Sequence, residues 1–232
     1  MRKAALFSLI LLACPAAALA ARPLVVVELF TAQGCASCGE ANSYLGKLAE
    51  RPGVLALTFP VDYWDYLGWA DTFAKPEFAH RQKAYVARLE LREPYTPQVV
   101  VDGGGQAAGL RTAEVEKLVR DAAAAQRNPP DIRFVGPRRV DVGSGRVPRG
   151  GAEVWLIRYD PRDQDVAVKT GDNRGQTISH KNVVREVKRL GAWRGRPTAY
   201  RLGTSAEEGL KSVLIVQAPN GGRVLAVGQP PS

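Results

Sequence analysis

The residues best suited to chemistry are Cys35 and Cys38, three positions apart in the stretch TAQGCASCGE from Thr31 to Glu40. Two thiols at that spacing can form a redox couple, supply half of a metal site, or close a permanent disulfide. A structural zinc site asks for four ligands, whereas the chain beyond its first twenty residues adds only His80 and His180 and no methionine. No metal site is assigned on this pattern. The metal alternative is copper(I) held by Cys35, Cys38 and His80. His80 otherwise reads as a polar helix residue and His180 as part of a loop or strand surface. A bridge closing so short a loop removes little chain entropy and would stabilise weakly, so exchange chemistry makes better use of the pair than an inert staple.

A thiol at the first turn of a helix meets unpaired backbone N–H groups and the positive end of the helix dipole, and both favour the thiolate. That makes Cys35 the attacking sulfur. Cys38, one turn further along the same face, is placed to resolve a mixed disulfide. Glu28 is the other unusual residue, a carboxylate inside the apolar run LVVVELF from Leu24 to Phe30. Buried near the pair it would relay a proton to or from Cys38. The alternative is an acid exposed at a strand end or paired with a lysine.

The elements that must hold these groups are legible as a change of period. Leu24 to Phe30 is a valine-rich run of the kind expected for a strand covered on both faces. Ala41, Tyr44, Leu45 and Leu48 then recur on one helical face until Pro52-Gly53 stops the helix, and Val54 to Asp62 forms a second strand. Strand, helix opening on the cysteines, and strand make a βαβ unit. The segment from Tyr63 to Phe78 gathers six aromatic residues beside the site, as a platform for a partner polypeptide or as a lid with its own core. Asp62, Asp65 and Asp71 in it are spaced as caps and turn residues, lacking the glycine and terminal glutamate of an EF-hand.

A helix from Lys75 to about Arg92 follows, then a strand at Val99 to Asp102, and a capped helix from Thr112 to about Ala125. Beyond Arg127-Asn128-Pro129-Pro130 short β-prone runs dominate, ending in a hairpin with Asn220-Gly221 at its turn. Ser179 to Trp193 fits a helical stripe or an alternating strand equally well.

With VVVELF, Cys35-Ala36-Ser37-Cys38 and Tyr95-Thr96-Pro97-Gln98-Val99-Val100-Val101-Asp102-Gly103 in place, the first half resembles the thioredoxin-like superfamily. VELFTAQGCASC, VDYWDYLGW, YTPQVVVDG and KNVVREVKRLGAW together look like the bacterial secreted family called domain of unknown function twelve twenty-three. The thioredoxin-like resemblance implies an α/β fold with CxxC at a helix start and a cis Thr96–Pro97 bond entering a strand beside Cys35. It also implies that Thr96 and Pro97 present backbone to a bound peptide. Gly34 and the Ala36-Ser37 dipeptide depart from the superfamily's usual pattern, and the direction of electron flow is not readable from them.

Three segments result: a signal peptide at 1–20, a thioredoxin-like domain at 21–128 and a basic β-rich domain at 129–232. Arg2 and Lys3, an apolar stretch, and Ala18-Leu19-Ala20 carry the first assignment. Cleavage near Ala20 would leave Cys35 and Cys38 as the only thiols of a periplasmic or secreted, soluble product. Leu11-Leu12-Ala13-Cys14 loosely resembles a lipoprotein signal, although Leu12 is bulky for its place. Residues 21–128 hold 12 Lys+Arg against 13 Asp+Glu, while 129–232 hold 18 against 10, so the basic character lies in the second half. That half is a solvated surface or meets an anionic partner. No nucleic-acid motif and no membrane span is present. The expected function is thiol-disulfide exchange with other envelope proteins through mixed disulfides, needing no cofactor. The competing class is a non-enzymatic thioredoxin-fold binding module with a structural disulfide.

Overall fold

The computed structural model describes residues 24–125 and 128–231. The proposed leader, Cys14 and Arg127 lie outside the described residues. The chain builds a mixed α/β structure in which one eight-stranded sheet dominates and helices are few.

β1 (Val25–Thr31) is buried along its whole length, as its valine content leads one to expect. α1 (Cys38–Ala49) crosses over to β2 (Val54–Pro60), which runs parallel to β1 with Val25 opposite Val54 and Thr31 opposite Pro60. After a 3₁₀ turn at Asp65–Leu67 come α2 (Pro76–Arg88), β3 (Gln98–Val101), β4 (Gly105–Ala108) and α3 (Thr112–Ala124). β3 lies antiparallel to β1, and β4 to β3.

The alternation of side chains along β1 separates two cores. Val25, Val27 and Leu29 face α1 and α3, where they meet Leu45, Leu48, Val115 and Val119. Each fully buried leucine here contributes about 1.5–3 kcal/mol. Val26 and Phe30 face the other side, packing with Phe59, Phe78 and Tyr85.

The second half adds β5 (Ile132–Phe134), β6 (Arg139–Val142), β7 (Ala152–Asp160), β8 (Gln164–Ala167), β9 (Thr177–His180), β10 (Val183–Trp193), β11 (Thr198–Arg201), β12 (Lys211–Gln217) and β13 (Val224–Gly228). The stretch that fitted helix and strand equally is thus mostly strand: it takes in the end of β9, a bend at Lys181-Asn182, and β10, which pairs with β7. Asn220 and Gly221 both take positive φ, 54° and 68°, at the β12–β13 turn, as the Asn-Gly pair requires.

The large sheet runs in the order β13-β12-β7-β10-β2-β1-β3-β4, so it crosses the compositional boundary at Asn128. The seam lies between β2 and β10. Thr58 donates its N–H to Asn182 O at 3.0 Å and its hydroxyl to Lys181 O at 2.6 Å, while Asn182 Nδ2 donates to Ala56 O at 2.8 Å. The apolar core crosses with it: Ile157, Tyr159, Val184, Val213 and Ile215 pack in the same cluster as Phe30 and Phe59. The two halves differ in charge but share a sheet and a core. A separate three-stranded sheet, β11-β6-β5, encloses a third apolar cluster around Trp193.

Candidate functional site

Cys35 and Cys38 are joined by a disulfide, their Cα atoms 5.4 Å apart. α1 begins at Cys38, with Ser37 at the N-cap position. Cys35 lies in the turn just before it, which is closed by the Cys38 N–H donating to Cys35 O at 3.0 Å. The helix therefore opens on Cys38, and Cys35 stands ahead of the first helical residue.

Both cysteines are enclosed, Cys35 at 2% exposure and Cys38 at 0%. The enclosure comes from two segments far apart in sequence. One is the aromatic loop. Trp64 lies over Gly34, and Trp69 Nε1 donates to Gln33 Oε1 at 2.9 Å. Gln33 N–H donates to Asp71 Oδ2 at 2.7 Å, and Phe73 N–H to Asp71 Oδ1 at 2.9 Å. Asp71 is a turn-organising carboxylate, as its spacing suggested, and burial pushes it up to about 6. The other segment is the loop joining β8 to β9. Asn173, itself buried, donates Nδ2 to both Gln33 O and Cys35 O at 2.8 Å. Thr170 Oγ1 donates to Gly68 O at 2.5 Å, tying the two segments to each other. β9 also lies on α1, where Ile178 reaches Gly39.

Of the six aromatics, Tyr63 and Trp64 pack onto the cluster that holds the cysteines, and Phe78 is part of it. Phe73 stacks edge-on against His180, with ring centroids 5.6 Å apart. Tyr66 alone stands out into solvent, stacked on Trp64 with centroids 6.4 Å apart. The loop is mainly a cover with its own packing, and Tyr66 is its outward residue.

Thr96–Pro97 is cis and leads directly into β3. Gly109 fixes where it sits. A Cβ at that glycine would lie 2.9 Å from Ala41 Cβ and 3.0 Å from Pro97 Cβ, so Pro97 stands against the helical turn that follows Cys38. Thr96 Oγ1 accepts from Trp64 Nε1 at 2.7 Å, which joins the cis-proline turn to the aromatic loop. Cys35, Cys38, Thr96 and Pro97 are thus brought into one neighbourhood.

Glu28 points to the α2 side of the sheet and is fully buried. Arg81 holds it with Nε at 2.5 Å from Oε2 and Nη2 at 2.9 Å from Oε1, and Tyr85 donates its hydroxyl to Oε1 at 2.5 Å. Burial keeps the Tyr85 hydroxyl well above its usual range, so it remains a donor. Arg81 Nη2 also reaches Gln217 Oε1 at 3.2 Å, linking β1, α2 and β12 across the boundary between the halves. Glu28 is buried, as the proton-relay reading required, and the alternative of an exposed or lysine-paired acid does not hold, since its partner is arginine. Its hydrogen bonds run to Arg81 and Tyr85 and not to either cysteine.

His180 is also corrected. It is buried against Phe73, and burial lowers it to about 4. His80 lies on the exposed side of α2 and lines a separate cavity of about 400 Å³ with Arg81, Trp155 and Gln217. Among the described residues no three His, Cys, Asp or Glu side chains converge, so the structure does not bring His80 to the thiols. Gln33 and Asn173 escaped sequence reasoning, since neither residue type signals chemistry and they meet only in the folded chain.

The geometry defines a mixed α/β protein carrying an enclosed disulfide at the head of a helix. The chain belongs to the family described as protein of unknown function (DUF1223), whose model matches residues 26–217. It is similar to the crystal structure of protein AGR_C_4864 from Agrobacterium tumefaciens, with 29% identity over 88% of this chain and 92% of that one, at a TM-score of 0.71. It shares its fold more distantly with HBP35 of Porphyromonas gingivalis, at 13% identity over 90% of this chain and 75% of that one, with a TM-score of 0.57. Among curated proteins none matches the chain.

Proposed function

We propose that this chain is an exported thiol-disulfide oxidoreductase of thioredoxin-like type, acting through Cys35 and Cys38. The observation that carries the reading is the disulfide at the head of α1, covered by the aromatic loop, with Pro97 standing against the helical turn that follows Cys38. The succession of β1, cysteine pair, α1, β2 and a cis Thr96–Pro97 bond ahead of β3 supports the thioredoxin-like assignment.

In the oxidised protein, a thiolate on a substrate polypeptide attacks Cys35 Sγ, forming a mixed disulfide and expelling Cys38 as thiolate. A second substrate thiol, deprotonated, then attacks its own sulfur of that bridge and expels Cys35. The substrate leaves as a disulfide and the protein as a dithiol. The reverse sequence, with Cys35 attacking a substrate disulfide and Cys38 resolving, uses the same bonds. Thr96 and Pro97 offer backbone to the substrate chain. Residues 21–128 carry the exchange in this reading, and residues 129–232 supply the Asn173 loop that covers it. Because both sulfurs are buried, a partner reaches Cys35 only after that cover opens.

The same burial supports a second reading, a binding module in which the disulfide is structural. The reduction potential separates the two: a value between about −120 and −270 mV places the pair among exchange catalysts, and one below about −300 mV favours the structural disulfide. Cys35→Ser should abolish exchange and Cys38→Ala should accumulate a mixed disulfide. Exchange retained in Cys35→Ser would sink the enzymatic reading.

A further inference from the structure

Away from the disulfide, the small sheet carries an arrangement that folding alone disfavours. Arg139 on β6 stands directly opposite Arg201 on β11, and both side chains point outward. Like charges in facing positions of neighbouring strands destabilise a sheet. Arg139 is relieved by Asp141, its Nε 2.7 Å from Oδ1. Arg201 and the neighbouring Arg138 have no such relief, since neither has an ion-pair partner among the described residues.

These three arginines line a concavity of about 940 Å³ together with Tyr200, Leu202, Gly203 and Thr204, and no acidic residue lines it. Its floor is fixed from beneath. Arg158, buried, donates to Gly203 O and pairs with Glu186, which ties the Gly203 carbonyl to the large sheet. Lys188 Nζ adds a fourth cation, 3.6 Å from where a Cβ on Gly203 would be.

We infer that this groove is a binding site for a phosphate-bearing ligand. A lone carboxylate is satisfied by one guanidinium fork, whereas the two unpaired guanidinium groups of Arg138 and Arg201, with Lys188 close by, suit a group presenting several anionic oxygens. The volume lies in the range of small-ligand sites. The phosphate can belong to a lipid headgroup or to a soluble phosphoester, and the recognition chemistry is the same for both. The site is independent of the disulfide and does not rest on the exchange reading.

The test uses the protein lacking residues 1–20, with two probes at about 0.1 M salt: pyrophosphate followed by calorimetry, and phosphatidylglycerol vesicles followed by co-sedimentation, with phosphatidylcholine vesicles as blank. Arg138→Gln/Arg201→Gln is compared with Lys83→Gln/Arg88→Gln, which removes the same charge from the exposed side of α2. Thermal melts confirm that both variants fold. The groove variant should weaken binding about tenfold or more, and the α2 variant less than about twofold. Loss confined to the vesicle arm assigns a lipid source; loss with pyrophosphate assigns phosphate recognition that needs no membrane. Absence of binding to both probes, or equal weakening by the two variants, overturns the site.

Discussion

Asn173→Ala should open the disulfide to reductant. In the native protein the Asn173 amide donates to Gln33 O and Cys35 O, both at 2.8 Å, at a position only 1% exposed. Truncation removes both bonds: Gln33 O is left unpaired, while Cys35 O keeps only the Cys38 N–H. At about 1 kcal/mol net for each bond, the cover loses about 2 kcal/mol. The Thr170–Gly68 bond and the Ile178 contact with α1 remain, so the loop is loosened and not detached. Since about 1.4 kcal/mol is a factor of ten, the open population rises about 30-fold. If reductant reaches Cys35 only through that state, the rate of disulfide reduction rises by the same factor. The assay is the reduction of Cys35–Cys38 by excess dithiothreitol, quenched by alkylation and counted by mass. Val142→Ala, in the separate core around Trp193, is the control. It costs about 2 kcal/mol through lost packing without touching the cover. A reduction rate for Asn173→Ala within about threefold of wild type, with stability lowered by the expected 2 kcal/mol, would refute the gating role. So would equal acceleration by Val142→Ala.

Glu28→Gln leaves Arg81 buried without its counter-ion, at a cost of about 3–5 kcal/mol, and should lower Tm by about 10 °C or more. A melt within about 2 °C of wild type would contradict the anchoring role, and exchange rates near neutral pH, measured on the folded variant, test the proton-relay role separately. Asp71 is raised from 3.8 to about 6 in the fold, so the native state binds the extra proton and stability falls as pH rises from about 4 to 6. Asp71→Asn should remove a slope worth on the order of 3 kcal/mol, read by denaturant melts across that window. His180 is lowered from 6.5 to about 4, so its contribution is full above pH 6.5 and is lost as pH falls towards 4, again on the order of 3 kcal/mol. His180→Gln should abolish that acid loss, and an unchanged acid limb would show that another group carries it.

The parts of the fold legible in the sequence are those fixed by local pattern. β1 is valine-rich because both its faces are covered, and α1 carries its apolar stripe within twelve residues, so each declares itself without its neighbours. Ser179 to Trp193 did not. β10 pairs with β7 through register shifts between Val184 and Glu186 and between Arg189 and Gly191, and each shift breaks the alternation that marks a strand. The cysteine pair was legible because its spacing is its chemistry. The enclosure was not, because Asn173 reaches Gln33 across 140 residues and an asparagine in a glycine-flanked loop reads as an ordinary turn. The compositional break at Asn128 is real in charge and absent in packing. Charge is a property of outer faces, while β2 and β10 meet through backbone and buried side chains on which composition is silent.

Asp71 lies in the aromatic loop that covers the disulfide and His180 at the end of β9, which follows the Asn173 loop, and their titrations oppose each other. Asp71 holds the Gln33 N–H from the aromatic loop, and His180 ends β9 against Phe73 of that same loop. Between about pH 4 and 6 the loss of stability from charging His180 on acidification is offset by protonation of Asp71, because one slope rises with pH where the other falls. The wild-type cover should therefore hold nearly constant stability across that window, and removing either group should expose the other. Asp71→Asn should become acid-labile, with its disulfide reduced faster at pH 4.5 than at pH 7 once the reductant's own thiolate fraction is divided out. His180→Gln should show the reverse ordering. Both orderings come from the same two buried groups, so if both variants shift in the same direction, the compensation does not exist.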